Sequence, residues 1–273
     1  MPLTPARKNG NRRSRSRELR RIERDKKIYR LLRGAKAIGL NRHRMLREPI
    51  EPLSVYFGKE EKDPKFRGLS VFPKTKQPNG QPMPHWDDLS KWLKVQQAVW
   101  VFDAWKFLTF NVHLHPELES KWVAEWLADR RDIRKRIMAE LRRELTRLVR
   151  PEPEFFFVLE GWSVRDRAPT RLHIHGGVAV LDPSEEPTIK AAVERACGHG
   201  VAGRKRTRRA VHFKPYTIER AAYINYLFKA ERKADPRLPD RRLAMSQSTV
   251  GAARDFWHML TGRLPWDQVD SSV

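Results

Sequence analysis

The stretch Arg171–Val180 constrains the fold of this chain most, because it alternates histidine with apolar residues. Its β-branched and apolar composition is typical of a β-strand. Residues i and i+2 of a strand point to the same face, so His173 and His175 lie side by side. Leu172 and Ile174 then face the opposite way, into a core. The histidine pair indicates either half of a metal site or two residues on a solvated face. The glycines that follow add no bulk, so another backbone or a ligand could approach closely there.

A second predicted strand, Glu154–Trp162, precedes the first and is apolar on both faces until Glu160. Burying a carboxylate without a partner is costly, so Glu160 either pairs with an arginine such as Arg165 or binds a cation. If the two strands pair as antiparallel neighbours, Glu160 reaches the face that carries His173 and His175. Ligands of this kind leave coordination positions open, as catalytic metal sites require.

Composition narrows the possible partners of the 273-residue chain. A hydrophobic content of 40% suits a folded protein of one or two domains. The formal net charge of +23 indicates a polyanionic partner, usually nucleic acid, with a basic membrane-surface protein as the lesser alternative. Cys197 is the single cysteine, which fits a reducing cytoplasm. We expect no transmembrane helix, no signal peptide and, without a phosphate-binding loop, no ATP-driven motor.

The charge is concentrated near the start of the chain. Residues 1–48 hold 17 lysines and arginines against four acidic residues. We interpret them as a basic arm that binds phosphates; the alternative is a solubilising tail. Within it, residues 1–17 are expected to be disordered in isolation, and residues 18–40 have helical potential. A Pro- and Gly-rich linker over 49–90 and a C-terminal helical extension with a tail over 236–273 flank the predicted core.

A rival histidine pair follows the predicted strand Lys106–Val112. His113 and His115 form a second His-x-His triplet, which is either a competing metal site or a strand end at the edge of the first site. The residues after it, 117–149, place tryptophan, isoleucine and leucine at three- and four-residue spacing, which predicts one long helix packed on a sheet.

A later predicted helix, residues 218–230, carries Tyr226 and Lys229 one turn apart, with Tyr223 three residues before Tyr226. A phenol of pKa about 10 is a poor nucleophile until a nearby cation lowers that pKa, and a lysine one turn away can do so. The alternative is a packing tyrosine beside a lysine that reaches towards solvent.

Two basic clusters are predicted to hold a nucleic-acid backbone, one just before a predicted strand at 210–214 and one in the arm. Their cations are Arg204, Lys205, Arg206, Arg208, Arg209, Arg12 and Arg13.

Taken in order, these motifs resemble the HUH endonuclease superfamily, in particular the rolling-circle replication initiators of plasmids and phages. Phe107-Leu108-Thr109-Phe110 looks like the first motif of that family, although it lacks the usual second threonine. His173-Ile174-His175 looks like the His-hydrophobic-His motif, and Glu160 stands where many members place a third metal ligand. Tyr226-Leu227-Phe228-Lys229 looks like the Tyr-x-x-Lys motif. The resemblance predicts a nuclease core within residues 91–235.

The resemblance implies an α+β fold, with a central antiparallel sheet and flanking helices like those of the RNA-recognition fold. It implies a bacterial cytoplasmic enzyme that nicks and rejoins single-stranded or hairpin DNA and so initiates rolling-circle replication. Mg²⁺ or Mn²⁺ would be held by His173, His175 and Glu160. Tyr226 would form a 5′-phosphotyrosine link, assisted by Lys229, with Tyr223 as the alternative nucleophile. A host helicase and polymerase would be partners.

Other classes of protein remain open at this point. A relaxase or transposase would share the chemistry, and a non-catalytic nucleic-acid-binding protein would explain the charge alone. A metal-dependent hydrolase that uses water would cleave without a covalent adduct. Paired nucleophiles in the family are often four residues apart, so the three-residue spacing of Tyr223 and Tyr226 argues against two equivalent tyrosines.

Overall fold

The structure, a computed structural model, describes residues 5–32, 74–102, 106–163, 168–200, 211–215, 220–228 and 235–263. It divides into two compact units. The first comprises Met1–Asn11 and Trp105–Val250, and the second comprises Arg12–Ala104 and Gly251–Val273. The longer segment of the first unit, Trp105–Val250, overlaps the predicted core of residues 91–235. No helix in the described ranges has both the length and the apolar character that a membrane crossing needs.

The described residues form helices and strands in the following ranges. The helices are α1 (Pro5–Leu32), α2 (Lys91–Phe102), α3 (Pro116–Asp129), α4 (Ile133–Leu148), α5 (Glu186–Ala196), α6 (Arg220–Leu227) and α7 (Gln247–Leu260). The strands are β1 (Lys106–His113), β2 (Phe155–Ser163), β3 (Ala168–Val180), β4 (Val211–Pro215) and β5 (Leu243–Met245). Short 3₁₀ turns lie at Trp86–Asp88 and Pro183–Glu185.

The five strands form one sheet in the order β4-β1-β3-β2-β5, and every neighbouring pair is antiparallel. The chain runs strand, helices, strand, strand, helix, strand, which with the 4-1-3-2 spatial order is the split βαβ arrangement of ferredoxin-like folds. The fifth strand extends the sheet beyond β2. The predicted α+β class, a central antiparallel sheet with flanking helices, is confirmed.

One face of the sheet forms the hydrophobic core of the first unit. Leu172 and Ile174 are fully buried on it, as the alternation of β3 predicts. Helices α3, α4 and α5 supply the facing apolar residues of this core, among them Trp122, Ile137 and Val193. The opposite face receives the alternate residues of each strand, including both histidines of β3.

The two glycines of β3 admit aromatic rings from the neighbouring strand. A Cβ atom on Gly176 would clash with the backbone carbonyl oxygen of Phe156 and lie 2.5 Å from Cζ of Phe110, and one on Gly177 would lie 2.9 Å from Cδ2 of Phe107. A side chain at Gly176 would therefore push β3 away from both β2 and β1. The close approach expected from the sequence is thus made at Gly176 by the backbone of β2, and at both glycines by aromatic side chains.

The single long helix predicted over residues 117–149 is wrong, because the structure has two helices there, α3 and α4. Arg130 ends α3 in the left-handed conformation, with φ of 58°. Asp132 begins α4 by accepting a hydrogen bond from the backbone N–H of Lys135. A left-handed residue followed by an N-cap ends one helix and starts the next, although the apolar spacing continues through both.

Helix α1 begins earlier than the sequence predicts and includes residues expected to be disordered in isolation. Within the second unit, Oδ2 of Asp25 accepts a hydrogen bond of 2.6 Å from the backbone N–H of Ser90. Oε1 of Glu18 accepts one of 2.8 Å from the backbone N–H of Lys91. Both carboxylates thus satisfy donors at the start of α2, where a helix dipole favours negative charge.

Candidate metal centre

The pairing of β2 with β3 brings a carboxylate to the histidine pair. Glu160 and His173 are directly opposite each other across the two strands, and His175 lies two residues further along the same face of β3. The side chains of all three are buried, with exposed fractions of 1%, 6% and 3%. The antiparallel arrangement predicted from the sequence is therefore present.

The ligand atoms of these three residues converge. Oε2 of Glu160 lies 3.3 Å from Nε2 of His175 and 3.6 Å from Nε2 of His173. One ligand atom from each residue lies within 4.8 Å of the others, so the group could hold a metal ion. Ligand atoms that each lie about 2.1 Å from one ion are about 3.0–3.4 Å apart in octahedral or tetrahedral geometry. The two measured separations are close to that range.

A backbone carbonyl sets the tautomer of one ligand. Nδ1 of His173 lies 2.9 Å from the carbonyl oxygen of Arg171. A carbonyl oxygen can only accept a hydrogen bond, so Nδ1 carries the proton and donates it. A ring that carries its only N–H on Nδ1 has its lone pair on Nε2, the atom that faces Glu160. Metal-binding histidines are commonly oriented by such an outer hydrogen bond.

A partly buried clamp formed by Arg237 holds the backbone beside Glu160. The pairing of β2 with β3 shifts register between Glu160 and Trp162, which indicates a β-bulge at Gly161. The guanidinium of Arg237 donates hydrogen bonds to the carbonyl of Gly161 at 2.7 Å and to that of Thr170 at 3.0 Å. The clamp therefore ties the two strands together where the ligands project from them.

Asp235 completes this clamp by holding Arg237 in place. Its Oδ2 lies 2.7 Å from Nη2 of Arg237, and this hydrogen bond is the main reason that the pKa of Arg237 is raised. A Cβ atom on Gly161 would lie 2.5 Å from that Oδ2, so the bulge position has no room for a side chain. Sequence reasoning missed Asp235 and Arg237, because nothing in their local pattern places them against β2.

The two tyrosines of α6 have different environments. The ring of Tyr226 lies edge-on to that of His175, with centroids 5.2 Å apart and an interplanar angle of 85°. Its side chain is 45% exposed. The hydroxyl of Tyr223 donates a hydrogen bond of 2.7 Å to the carbonyl oxygen of Gly176. Tyr226 therefore adjoins the candidate metal group, whereas the hydroxyl of Tyr223 fastens α6 to β3.

The two histidines of the rival triplet, His113 and His115, lie in different surroundings. The ring of His113 lies beside that of His173, with centroids 4.9 Å apart, whereas His115 precedes α3 and its ring lies 5.8 Å from that of His199. Within the described residues, the triplet contributes no group of three ligand atoms. Burial, and next the neighbouring His173, lower the pKa of His113 to about 4, so its imidazole is neutral at pH 7.

Several predicted site residues lie outside the described part of the structure. Lys229 and the basic run 204–209 are among them. Arg12 and Arg13 lie on α1, but their side chains are outside what the structure describes. The roles predicted for these cations therefore stay predictions.

Comparison with protein-family models, with curated proteins and with solved structures found no match to this chain.

Proposed function

We propose that this protein is a metal-dependent endonuclease that nicks and rejoins single-stranded DNA through Tyr226, and that it initiates rolling-circle replication. The observation that carries the proposal is the position of Tyr226, a partly exposed phenol whose ring adjoins a ligand of a buried Glu-His-His group. Tyr226 and the candidate metal group thus lie together on one side of the antiparallel sheet, which supports the proposal.

The residues that would hold the ion are Glu160, His173 and His175. A divalent ion held there would supply Lewis-acid stabilisation of the negative charge that develops on the scissile phosphate. Imidazole nitrogens suit transition metals and carboxylate oxygens suit Mg²⁺ and Mn²⁺, so this mixed donor set favours Mn²⁺ over Mg²⁺.

Tyr226 carries the covalent step in this mechanism. Its phenol loses a proton, and the oxygen attacks phosphorus to form a phosphotyrosine bond. The bond from phosphorus to the 3′ oxygen breaks, and that oxygen takes up a proton to give a free 3′-OH that primes synthesis. A later attack by a 3′-OH on the phosphotyrosine restores the DNA strand and the phenol. One phosphodiester replaces another at each step, so no external energy source is needed.

Two sets of cations assist this reaction in the proposal. Lys229 follows α6, three residues after Tyr226, and in the proposal its cation steadies the charge on the phosphoryl group. The basic arm, with Arg12 and Arg13, and the run 204–209 hold the DNA backbone by releasing counterions. Unwinding is assigned to a host helicase and synthesis to a host polymerase, in the bacterial cytoplasm.

A non-catalytic nucleic-acid-binding protein is the second candidate, and the sheet itself favours it. The strand order 4-1-3-2 is also that of four-stranded RNA-recognition sheets, and the net charge of +23 suits any nucleic acid. This candidate assigns no chemistry to Tyr226. It predicts that removing the phenol hydroxyl leaves every activity unchanged.

The deciding experiment incubates the protein with a mixed pool of single-stranded and hairpin DNA and Mn²⁺, and then looks for a denaturant-resistant protein–DNA adduct. Wild type, Tyr226→Phe and Tyr223→Phe are compared. We expect an adduct with wild type and with Tyr223→Phe, and none with Tyr226→Phe. Salt-sensitive binding without an adduct in any of the three would favour the binding protein, and cleavage without an adduct would favour a hydrolase that uses water.

A further inference from the structure

A row of side chains crosses the sheet from the candidate metal group to the β4 edge. Asn111 of β1 is directly opposite His175 of β3 on one side and His212 of β4 on the other. Directly opposite residues of antiparallel strands project from the same face, and neighbouring strands are about 4.8 Å apart. Asn111 is therefore the side chain of β1 that adjoins a candidate metal ligand in this row.

Asn111 is half-buried, and the described residues leave its amide oxygen without a partner. Among the residues that the structure describes, its Oδ1 has no hydrogen-bond partner, although that atom is shielded from solvent. A buried polar atom without a partner is costly, and a ligand that supplies a donor removes the cost. Phosphate oxygens only accept hydrogen bonds, so the missing donor is of the kind that a nucleobase offers at its edge.

The neighbours of Asn111 suit a single strand of nucleic acid. His212 and Lys214 are exposed on β4, and they share the face of the sheet with Asn111. Exposed imidazole rings stack on unpaired bases, and lysine binds phosphate as a point charge. Flat sheet surfaces of this kind take strands whose bases are splayed out, because a base edge paired within a duplex is not available to them.

We propose that the amide of Asn111 turns towards the bound single strand and reads one base beside the metal group, with His212 as a stacking platform and Lys214 as a phosphate contact. This inference rests on the proposed function for its substrate, single-stranded DNA. An asparagine amide pairs in bidentate fashion with the N6 donor and N7 acceptor of adenine. Adenine is therefore the expected base, and cytosine and guanine also carry an exocyclic amino donor, whereas thymine does not.

The test selects bound strands from a pool of single-stranded DNA with a randomised central region. EDTA is present throughout, so that the strands stay intact and binding is measured without cleavage. Wild type and Asn111→Ala are compared, and circular dichroism verifies that each is folded. Thr109→Ala is the matched control, because Thr109 lies on the same strand and face but its hydroxyl already donates to the carbonyl oxygen of Lys214 at 2.9 Å.

We expect wild type and Thr109→Ala to enrich adenine at one position by about 5- to 100-fold, and Asn111→Ala to lose that preference. An identical profile for wild type and Asn111→Ala would overturn the inference. So would a wild-type profile without a preference, or one that favours thymine at the affected position. Failure of the proposed function is seen separately, as the absence of a covalent adduct when Mn²⁺ replaces EDTA.

Discussion

The ring of Tyr226 lies edge-on to the ring of His175, with 5.2 Å between their centroids. One turn earlier on the same helix, Tyr223 directs its hydroxyl to the backbone of β3 instead. Two tyrosines that are nearly equivalent in sequence thus differ in what they touch. We therefore expect Tyr223 to contribute to the stability of the fold and Tyr226 to the proposed chemistry, and each expectation can be tested.

Removing each hydroxyl should have opposite consequences. Tyr223→Phe loses the hydrogen bond to Gly176 and should lower the free energy of unfolding by about 0.5–1.5 kcal/mol, measured by urea denaturation, while adduct formation is kept. Tyr226→Phe should leave the free energy of unfolding within about 0.5 kcal/mol of wild type, because its side chain is exposed. The reverse pattern would show that the roles are exchanged.

Metal binding should depend on the three convergent side chains. Glu160→Gln and His175→Ala each remove one ligand atom, so Mn²⁺ affinity measured by calorimetry on purified protein should fall by at least about 10-fold. His212→Gln is the control, because this exposed histidine of the same sheet face lies outside the Glu-His-His group. Equal affinities for all three variants and wild type would mean that the ion binds elsewhere.

The Arg237 clamp should act on metal affinity through the bulge at Gly161. Arg237→Lys keeps the positive charge but loses the planar guanidinium that donates hydrogen bonds to both strands. We therefore expect Mn²⁺ to bind about 10- to 100-fold more weakly. Arg142→Lys, at an exposed position of α4, is the control. If Arg237→Lys lowers stability but leaves Mn²⁺ affinity unchanged, the clamp supports the fold and does not position the ligands.

Acid should selectively weaken an ion pair on α4. Burial alone would raise the pKa of Glu144, but hydrogen bonds from Arg147 and Arg143 lower it below its usual value. The unfolded chain then binds protons more readily than the folded one, so this stabilisation is present above about pH 4.5 and is lost as the pH falls through the folded pKa. Both arginines are largely exposed, so the contribution is about 1 kcal/mol.

Urea denaturation of Glu144→Gln across pH tests this reasoning. The variant should be less stable than wild type at pH 7, and the difference should shrink towards pH 3. Glu152→Gln, at an exposed position, should show no such trend. A difference between Glu144→Gln and wild type that is constant with pH would mean that packing, and not charge, accounts for it.

The features of the structure that depend on local sequence pattern are mostly predicted correctly. Alternation in β3 places Leu172 and Ile174 in the core and both histidines on the other face, and strand order brings Glu160 to them. It cannot predict where one amphipathic run becomes two helices, because the apolar spacing continues past the left-handed Arg130. Nor does it find Arg237, since its contacts with Gly161 and Thr170 join segments far apart in the chain.

The most direct measurement identifies which tyrosine carries the DNA. Trypsin cleaves after Arg220 and Lys229 and releases one peptide, residues 221–229, that contains both tyrosines. The adduct formed with Mn²⁺ is digested with nuclease and then trypsin, and the modified peptide is fragmented in a mass spectrometer. We predict a nucleotide mass on Tyr226. A nucleotide on Tyr223, or no modified peptide from protein that has cleaved DNA, would contradict the account.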